Sequence, residues 1–220
     1  MIIDFSNIKD PYGKINIHCF FNLNDSYLFT PLKVCSRSFV RLSDISNKNI
    51  VRVVAADTSY KSYAIVRDPF SRIKSLYIQK LISAVDAKMN GFHHSRSIDD
   101  IDISKLQDCQ LEIVKLFGRD AFFNKKISFK QFILDGIPNL MNKEHHFYTQ
   151  NDFIPSYVYS YLKMENNDDI KFAFDLFSSN IIHVNKTLKY ENITWDTDMK
   201  NVISKHYYDD FCRFDYIYSK

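Results

Sequence analysis

The stretch YAIVRDPFSRIKSLY, residues 63–77, decides the fold because it joins a buried strand directly to a helix. Its first four residues are apolar and partly β-branched, which is typical of a buried strand. Pro69 has a fixed φ angle that suits the first turn of a helix, so we predict that the helix begins there. Arg67 then lies at the carboxyl end of the strand, where open α/β sheets bind their ligands. We therefore predict an anion site at this corner.

The helix that follows has an apolar stripe and a basic face. The apolar side chains recur at helical spacing and are Ile73, Leu76, Tyr77, Leu81, Ala84 and Val85. The basic side chains Arg72, Lys74, Lys80 and Lys88 fall off that stripe. We therefore predict that the apolar face packs and that the basic face is solvated.

The same segment carries the pattern R-D-P-F-x-R-x-x-S-x-Y, formed by Arg67, Asp68, Pro69, Phe70, Arg72, Ser75 and Tyr77. This pattern resembles the 3′-phosphate-binding segment of the carbohydrate sulfotransferases, the membrane-bound Golgi class (sulfotransferase family 2) and its bacterial relatives. The resemblance implies that Arg67 and Ser75 hold the 3′-phosphate of the sulfate donor 3′-phosphoadenosine 5′-phosphosulfate (PAPS). A guanidinium offers phosphate a planar charged fork, and a serine hydroxyl adds a neutral donor. The alternative is that Arg67 and Asp68 only pair with each other at the strand end.

A second anion segment is predicted in residues 26–39, SYLFTPLKVCSRSF, which read as strand, loop and helix N-terminus. Free backbone N–H groups at a helix N-terminus favour an anion, and a lysine neutralises its charge. The segment resembles the family's 5′-phosphosulfate loop, P-K-x-x-x-x-S. The resemblance matches Lys33 and Ser38 to this pattern, with Ser36 and Arg37 in the loop between them. The residues predicted to bind the donor here are Lys33, Cys35, Ser36, Arg37 and Ser38.

The second segment also departs from the family pattern. Leu32 separates Pro31 from Lys33, and Arg37 stands where a small residue is expected. The loop has no glycine, so it is not a Walker A sequence. A basic surface turn is the alternative for this segment alone.

Further segments follow in the order that the family has. Residues 128–133 are similar to S/T-F-x-x-F, residues 146–150 to H-W-x-P-Q, residues 161–166 to a strand ending in E-N, residues 183–187 to H-x-N-x-S/T, and residues 207–216 to Y-x-x-D-F-x-x-F-x-Y. The resemblance therefore covers roughly residues 26–216.

Sulfuryl transfer needs a placed donor, a base for the acceptor proton and charge to stabilise the leaving phosphate. Lys33 is predicted to neutralise charge on the bridging oxygen, assisted by the backbone N–H groups of residues 35–38. His146 is the predicted base, because histidine titrates near neutrality and the family segment has a histidine there. His145, His183 and Glu165 are the alternatives.

We predict one α/β domain over residues 1–220, with a mainly parallel central sheet flanked by helices and, by resemblance, a P-loop-like sulfotransferase fold. Strands are expected near residues 16–21, 26–30, 51–55, 61–66 and 157–164. Helices are expected near residues 37–46, 70–88, 104–118, 128–135, 169–179 and 197–213. The four glycines and five prolines are scattered and mark no linker.

Composition bounds the remaining possibilities. No window reaches the ~18 apolar residues of a membrane helix, and Asp4 lies where a signal peptide would be basic, so a cytoplasmic location is expected. The four cysteines form no C-x-x-C, which predicts neither a metal site nor a disulfide. A net charge of +3 is too small to indicate a nucleic-acid binder, although Lys33, Arg37, Arg41, Arg67 and Arg72 would converge in a positive cleft.

The resemblance implies a sugar hydroxyl as acceptor, and the expected cytoplasmic location favours a bacterial capsular or cell-surface glycan precursor. Two other functions stay open. One is a small-molecule kinase using ATP, for which a G-x-x-x-x-G-K-S/T loop is lacking and only Asp57 or Asp68 would bind magnesium. The other is a binding module without activity, which the altered residues Leu32 and Arg37 keep open.

Overall fold

The computed structural model describes residues 2–4, 19–22, 26–31, 34, 39, 50–53, 55–83, 98, 102–176 and 193–217. The chain forms two compact units. The sheet unit comprises Met1–Pro69, Thr149–Lys186 and Asp209–Ile217, and the helical unit comprises Phe70–Tyr148, Thr187–Tyr208 and Tyr218–Lys220. The prediction of one domain over residues 1–220 stays a prediction.

The strands described are β1 (Ile2–Asp4), β2 (Cys19–Asn22), β3 (Ser26–Phe29), β4 (Ile50–Val53), β5 (Ala55–Asp57), β6 (Lys61–Val66) and β7 (Ser160–Lys163). Five of them form a sheet in the order β4-β2-β3-β6-β7, and β1 pairs with β5. The pairs β3–β6 and β6–β7 are parallel, whereas β2 is antiparallel to both β3 and β4. The predicted α/β class is confirmed, with a mixed sheet whose parallel strands adjoin the Arg67 corner.

Strand β6 lies between two parallel neighbours, and five of its six residues are buried. Its register pairs Ala64 with Phe29 of β3, and Val66 with Lys163 of β7. Because parallel strands point the same way, the chain leaves all three strands at one edge of the sheet. The segment that follows β3 and the corner at Arg67 therefore begin at the same edge.

One face of this sheet is covered by the helix Asn167–Asp175. The Asn166 side chain caps its first turn by accepting from the Asp168 N–H. Phe174 stacks on Phe39 with ring centroids 4.9 Å apart. The buried cluster between helix and sheet consists of Phe20, Leu28, Val34, Phe39, Tyr63, Ile65, Leu162, Ile170, Ala173 and Phe174. This apolar layer determines which side chains of the parallel strands are buried against the helix.

The α-helices described are α1 (Pro69–Tyr77), α2 (Asp108–Phe117), α3 (Arg119–Phe123), α4 (Phe129–Gln131), α5 (Ile137–Leu140), α6 (Asn167–Asp175), α7 (Thr197–His206) and α8 (Tyr208–Arg213). A π-helical turn, Ile78–Ile82, follows α1, and another, Phe132–Gly136, joins α4 to α5. A short 3₁₀ helix spans Ile103–Lys105. In the part of the chain described here, no helix has the length and apolar character needed to cross a bilayer.

The predicted solvation of the basic face of α1 is wrong for two residues. Arg72 is fully buried, and Lys80 is 5% exposed. Arg72 donates to the His146 carbonyl over 3.4 Å, and Lys80 Nζ donates to Gln107 Oε1 over 2.5 Å. Lys80 lies in the π-helical turn, where the wider i→i+5 spacing rotates positions away from the 3.6-residue period. Arg72 and Lys80 can be buried because each finds a polar acceptor distant in sequence, and the local pattern alone predicted that both would be exposed to water.

Candidate functional site

Arg67 lies directly after β6, and its backbone is held by the side chain of Gln150. The Arg67 N–H donates to Gln150 Oε1 over 2.8 Å, and Gln150 Nε2 donates to the Arg67 carbonyl over 2.7 Å. One carboxamide thus satisfies both backbone groups at the residue where the strand ends. This fixes the backbone from which the Arg67 side chain starts.

Gln150 is held in turn by a buried carboxylate on α8. Asp210 is fully buried, and it accepts from the Gln150 N–H over 2.9 Å and from Gln150 Nε2 over 3.2 Å. It also accepts from the Asn151 N–H over 2.8 Å. A buried charge is costly unless donors surround it, and these three N–H groups provide them. The three residues form a continuous polar connection from α8 to the end of β6.

The Arg67 side chain lies beside Glu165. Arg67 Nε is 4.0 Å from Glu165 Oε1, and the two side chains are 19% and 41% exposed. The same carboxylate accepts from the Asp68 N–H over 3.1 Å and from the Tyr216 hydroxyl over 3.0 Å. Burial raises the pKa of Tyr216, and the Glu165 charge adds to this, so the phenol stays protonated and donates. Glu165, an alternative base in the sequence, thus accepts hydrogen bonds from Asp68 and Tyr216 and forms an ion pair with Arg67.

Ser75 lies on α1 and is 3% exposed. Gln79 Nε2, one helical turn later, lies 3.5 Å from Ser75 Oγ, which is a long contact for a hydrogen bond. Ser75 belongs to the helical unit and Arg67 to the sheet unit. Their joint binding of one phosphate stays a prediction.

His146 is held by the carboxylate of Glu144 in the helical unit. Its Nδ1 lies 2.8 Å from Glu144 Oε1 and 3.0 Å from Oε2, and its backbone N–H donates to Oε2 over 2.8 Å. His145 Nδ1 lies 2.9 Å from the same Oε1. Glu144 is fully buried, so its carboxylate is stabilised by these neighbours rather than by water.

The pKa values follow from this geometry. Burial lowers the pKa of His146 to about 3, and the Glu144 carboxylate only partly counteracts it. Burial alone would raise the pKa of Glu144, but hydrogen bonds from His145 and His146 lower it to about 2. At neutral pH the pair is therefore a carboxylate and a neutral imidazole. With Nδ1 as the donor to Glu144, the lone pair of His146 is on Nε2.

Two buried contacts fix the backbone around His146. The Tyr207 hydroxyl donates to the Phe147 carbonyl over 2.7 Å, and Arg72 donates to the His146 carbonyl. The Arg72 guanidinium carbon lies 5.9 Å from the centroid of the Tyr207 ring, which is within range of a cation–π interaction. The sequence placed Arg72 on a solvated face, whereas here it helps to hold the loop that carries His146.

The same cluster includes one group of side chains that could bind a cation. Cys109 Sγ, a Glu144 oxygen and a His146 ring nitrogen all lie within 4.8 Å of one another. Thiolate, imidazole and carboxylate are the ligands that Zn²⁺ takes in proteins. The sequence-based expectation of no metal stays a prediction.

Comparison with known proteins decides the family. A model of the Sulfotransferase family matches residues 24–164, which is more than half of the chain. This chain is a family 2 sulfotransferase. No curated protein and no solved structure matches it. Dependence on PAPS is what membership in this family implies.

The matched region of the sulfotransferase contains both anion segments and His146. Of the predicted site residues, Arg67, Ser75 and His146 are described, whereas Lys33, Cys35, Ser36, Arg37 and Ser38 lie outside the described residues, as does His183. The predicted convergence of basic side chains in one cleft loses Arg72, which is fully buried.

Sequence reasoning gave no role to three residues that the structure brings to these sites. Gln150 and Asp210 stand in the family-like segments at residues 146–150 and 207–216, and this was the signal that could have found them. Glu144 precedes the two histidines and carries no comparable signal. All three act on groups that are distant or hidden in the linear pattern.

Proposed function

We propose that this sulfotransferase moves a sulfuryl group from PAPS to a hydroxyl group of a carbohydrate, either a glycan or a polysaccharide precursor. Family membership supports the transfer of a sulfuryl group. The observation that carries the donor assignment is the parallel pairing of β3 and β6. Because of this pairing, the two predicted anion-binding segments begin at the same edge of one sheet. This suits a donor that has phosphate groups at both ends.

In this proposal the donor is held at two places. Arg67 and Ser75 bind the 3′-phosphate, which fixes the position of the nucleotide. Lys33 and the backbone of residues 35–38 bind the 5′-phosphosulfate, together with the side chains of Cys35, Ser36, Arg37 and Ser38. Lys33 neutralises the charge that develops on the bridging oxygen as the S–O bond breaks. The leaving group is adenosine 3′,5′-bisphosphate (PAP).

His146 takes the proton of the acceptor hydroxyl. The acceptor oxygen forms a bond to sulfur, the bond from sulfur to the 5′-phosphate oxygen breaks, and the hydroxyl proton passes to Nε2 of His146. Glu144 supports this role because it occupies Nδ1 and fixes the orientation of the ring. The low pKa keeps the imidazole neutral, but it also makes Nε2 a weak base as long as the pKa stays low. The charge of a bound donor would raise that pKa towards the working pH.

A cytoplasmic location, a saccharide acceptor of bacterial origin, the lack of a nucleic-acid partner and the lack of a metal stay predictions. Glycan precursors with free hydroxyl groups are the substrates to screen with labelled PAPS.

The test is PAP binding, measured by calorimetry with AMP and ATP as controls. The wild type should bind PAP in preference to AMP, because only PAP carries the 3′-phosphate. Arg67→Ala removes a charge-assisted contact of about 1.5–3 kcal/mol and should weaken PAP binding by about ten- to a hundredfold. Equal affinity for PAP and AMP would refute the donor assignment. A preference for ATP would favour the kinase, and PAP binding without any turnover would favour a binding module.

A further inference from the structure

We infer that Gln150 and Asp210 are positioning residues for the anion site at Arg67. Together they fix the carboxyl end of β6 and thereby the point from which the guanidinium reaches a phosphate. This inference rests on the proposed function, because that function gives Arg67 the 3′-phosphate of the donor. It adds two residues to the donor site without any contact between them and the donor.

The first step is the pairing between Gln150 and the Arg67 backbone. Inside β6, the Val66 carbonyl accepts from the Met164 N–H over 2.8 Å on the side of β7. Arg67 is the first residue beyond the strand, and its N–H and carbonyl are bonded by the Gln150 carboxamide at 2.8 and 2.7 Å. The carboxamide supplies a donor and an acceptor, as a neighbouring strand would. Gln150 thus continues the hydrogen-bonding pattern of the sheet by one residue beyond β6, to Arg67.

The second step is the orientation of that carboxamide. Both oxygens of Asp210 accept from N–H donors, and one of them accepts from the Gln150 amide nitrogen over 3.2 Å. This leaves Oε1 to face the Arg67 N–H. A carboxamide turned by 180° would place its nitrogen against the Arg67 N–H, with two donors facing each other. Asp210 therefore reinforces the orientation that the Arg67 backbone requires and holds the carboxamide in place.

The third step is the rigidity of the arrangement. Gln150 and Asp210 are both fully buried, and Asp210 has two backbone N–H donors as well as the side-chain donor. Arg67 itself is only partly buried, so its side chain has no comparable enclosure. A small displacement of a group that holds a substrate has a large effect on its interaction. The position of the phosphate-binding Arg67 is thus fixed by Gln150 and Asp210, two buried residues that do not contact the phosphate.

A substitution of nearly equal size separates positioning from general stability. Asp210→Asn has one acceptor oxygen in place of two, so an NH₂ group faces either the two Gln150 donors or the Asn151 N–H, and the support of the carboxamide is weakened. We expect it to weaken PAP binding about tenfold, as is typical for coupled neighbours, and to leave the affinity for AMP unchanged. Asp152→Asn is the matched control. Asp152 accepts from the Thr149 N–H and hydroxyl in the same loop, at 2.8 and 2.7 Å, but it is exposed and makes no contact with Gln150, so it controls for the loss of a carboxylate in this loop.

The experiment is a double-mutant cycle on the full chain, with PAP affinity by calorimetry for the wild type, Arg67→Ala, Asp210→Asn and the double variant. If Asp210 acts through Arg67, its tenfold effect disappears in the Arg67→Ala background. The same fold loss in both backgrounds, or an equal loss for AMP, overturns the inference. If Arg67→Ala alone leaves PAP binding unchanged, the proposed function fails instead. Gln150→Ala serves in the same cycle if Asp210→Asn loses its melting transition, and additivity there counts equally against the inference.

Discussion

The contact between Tyr207 and the Phe147 carbonyl should have a role in catalysis that a similar contact elsewhere in the helical unit lacks. The Tyr207 hydroxyl donates to the Phe147 carbonyl over 2.7 Å, and the Tyr77 hydroxyl donates to the Ile127 carbonyl over 2.8 Å. Both phenols are buried, and both carbonyls belong to residues that are fully buried. The two contacts thus have nearly the same chemistry, but only Tyr207 holds the residue that follows His146.

Tyr207→Phe and Tyr77→Phe each leave one buried carbonyl without its donor. Each should lower the free energy of unfolding by about 1–3 kcal/mol. For a chain of this size, that corresponds to a fall of about 2–12 °C in the melting temperature. In addition, Tyr207→Phe should lower kcat about tenfold, because the backbone beside the proposed base loses one of the contacts that fix its position. Tyr77→Phe should leave kcat close to that of the wild type.

The first assay is thermal melting monitored by circular dichroism. The second measures transfer of labelled sulfate at saturating PAPS to an acceptor found by glycan screening. Measuring kcat well below both melting temperatures removes the contribution of unfolded protein. If both variants lose kcat equally, the contact with Phe147 has no special relation to the reaction. If Tyr207→Phe melts lower but keeps full kcat, the placement of His146 by this carbonyl is refuted.

The remaining predictions concern the donor lysine, the base and acid stability. Lys33→Ala should lower kcat far more than donor affinity, because Lys33 stabilises charge that exists only in the transition state, and equal losses in both quantities would refute that role. His146→Ala should abolish turnover while PAP still binds in calorimetry; retained turnover would move the role of base to His183 or Glu165. Burial keeps the pKa of His146 at about 3 in the folded chain, below its ordinary value of 6.5, and Glu144 is held at about 2, below 4.5. Both shifts stabilise the folded state above the ordinary pKa, so urea unfolding should show stability falling below pH 6.5 and more steeply below pH 4.5, with a shallower decline for His146→Phe. Equal stability at pH 7 and pH 5 would contradict the assignment for His146.

Local sequence patterns predicted the elements that depend on local causes. Helix α1 begins at Pro69 as expected, because the fixed φ of proline acts within one turn. Strand β6 ends at Val66, where the apolar run stops. Ser128 caps the start of α4 by accepting from the Gln131 N–H, as the predicted helix near residues 128–135 requires.

Elements that depend on distant partners were predicted less well. The single strand expected near residues 51–55 is two strands, because β4 pairs with β2 while β5 pairs with β1. The single helix expected over residues 197–213 is divided at Tyr207, whose φ of −114° and ψ of 25° lie outside helical geometry. The local spacing of hydrophobic residues indicates neither the two strand pairings nor the interruption at Tyr207.

The candidate site shows the same division. Arg67 could be placed at a strand end from sequence, because a short apolar run and a proline define its position. Gln150 and Asp210 stand in family-like segments, but their contacts could not be predicted, since Gln150 is 83 residues from Arg67 and Asp210 is 60 residues from Gln150. No role could be assigned to Glu144, because its contact with His146 depends on the burial of the Glu144 carboxylate, and burial is a property of the folded chain.

The connection from Arg67 through Gln150 to Asp210 also has a consequence for biosynthesis. At roughly 5–20 residues per second, a ribosome adds residue 210 on the order of ten seconds after residue 67. Strand β6 can pair with β3 long before that, but its carboxyl end lacks its alignment until α8 has been made. The nascent chain thus passes through a period in which the sheet is present and the nucleotide site is unfinished. In the proposed function, chains that have been translated past Asp210 should therefore bind PAP more tightly than chains that end before it.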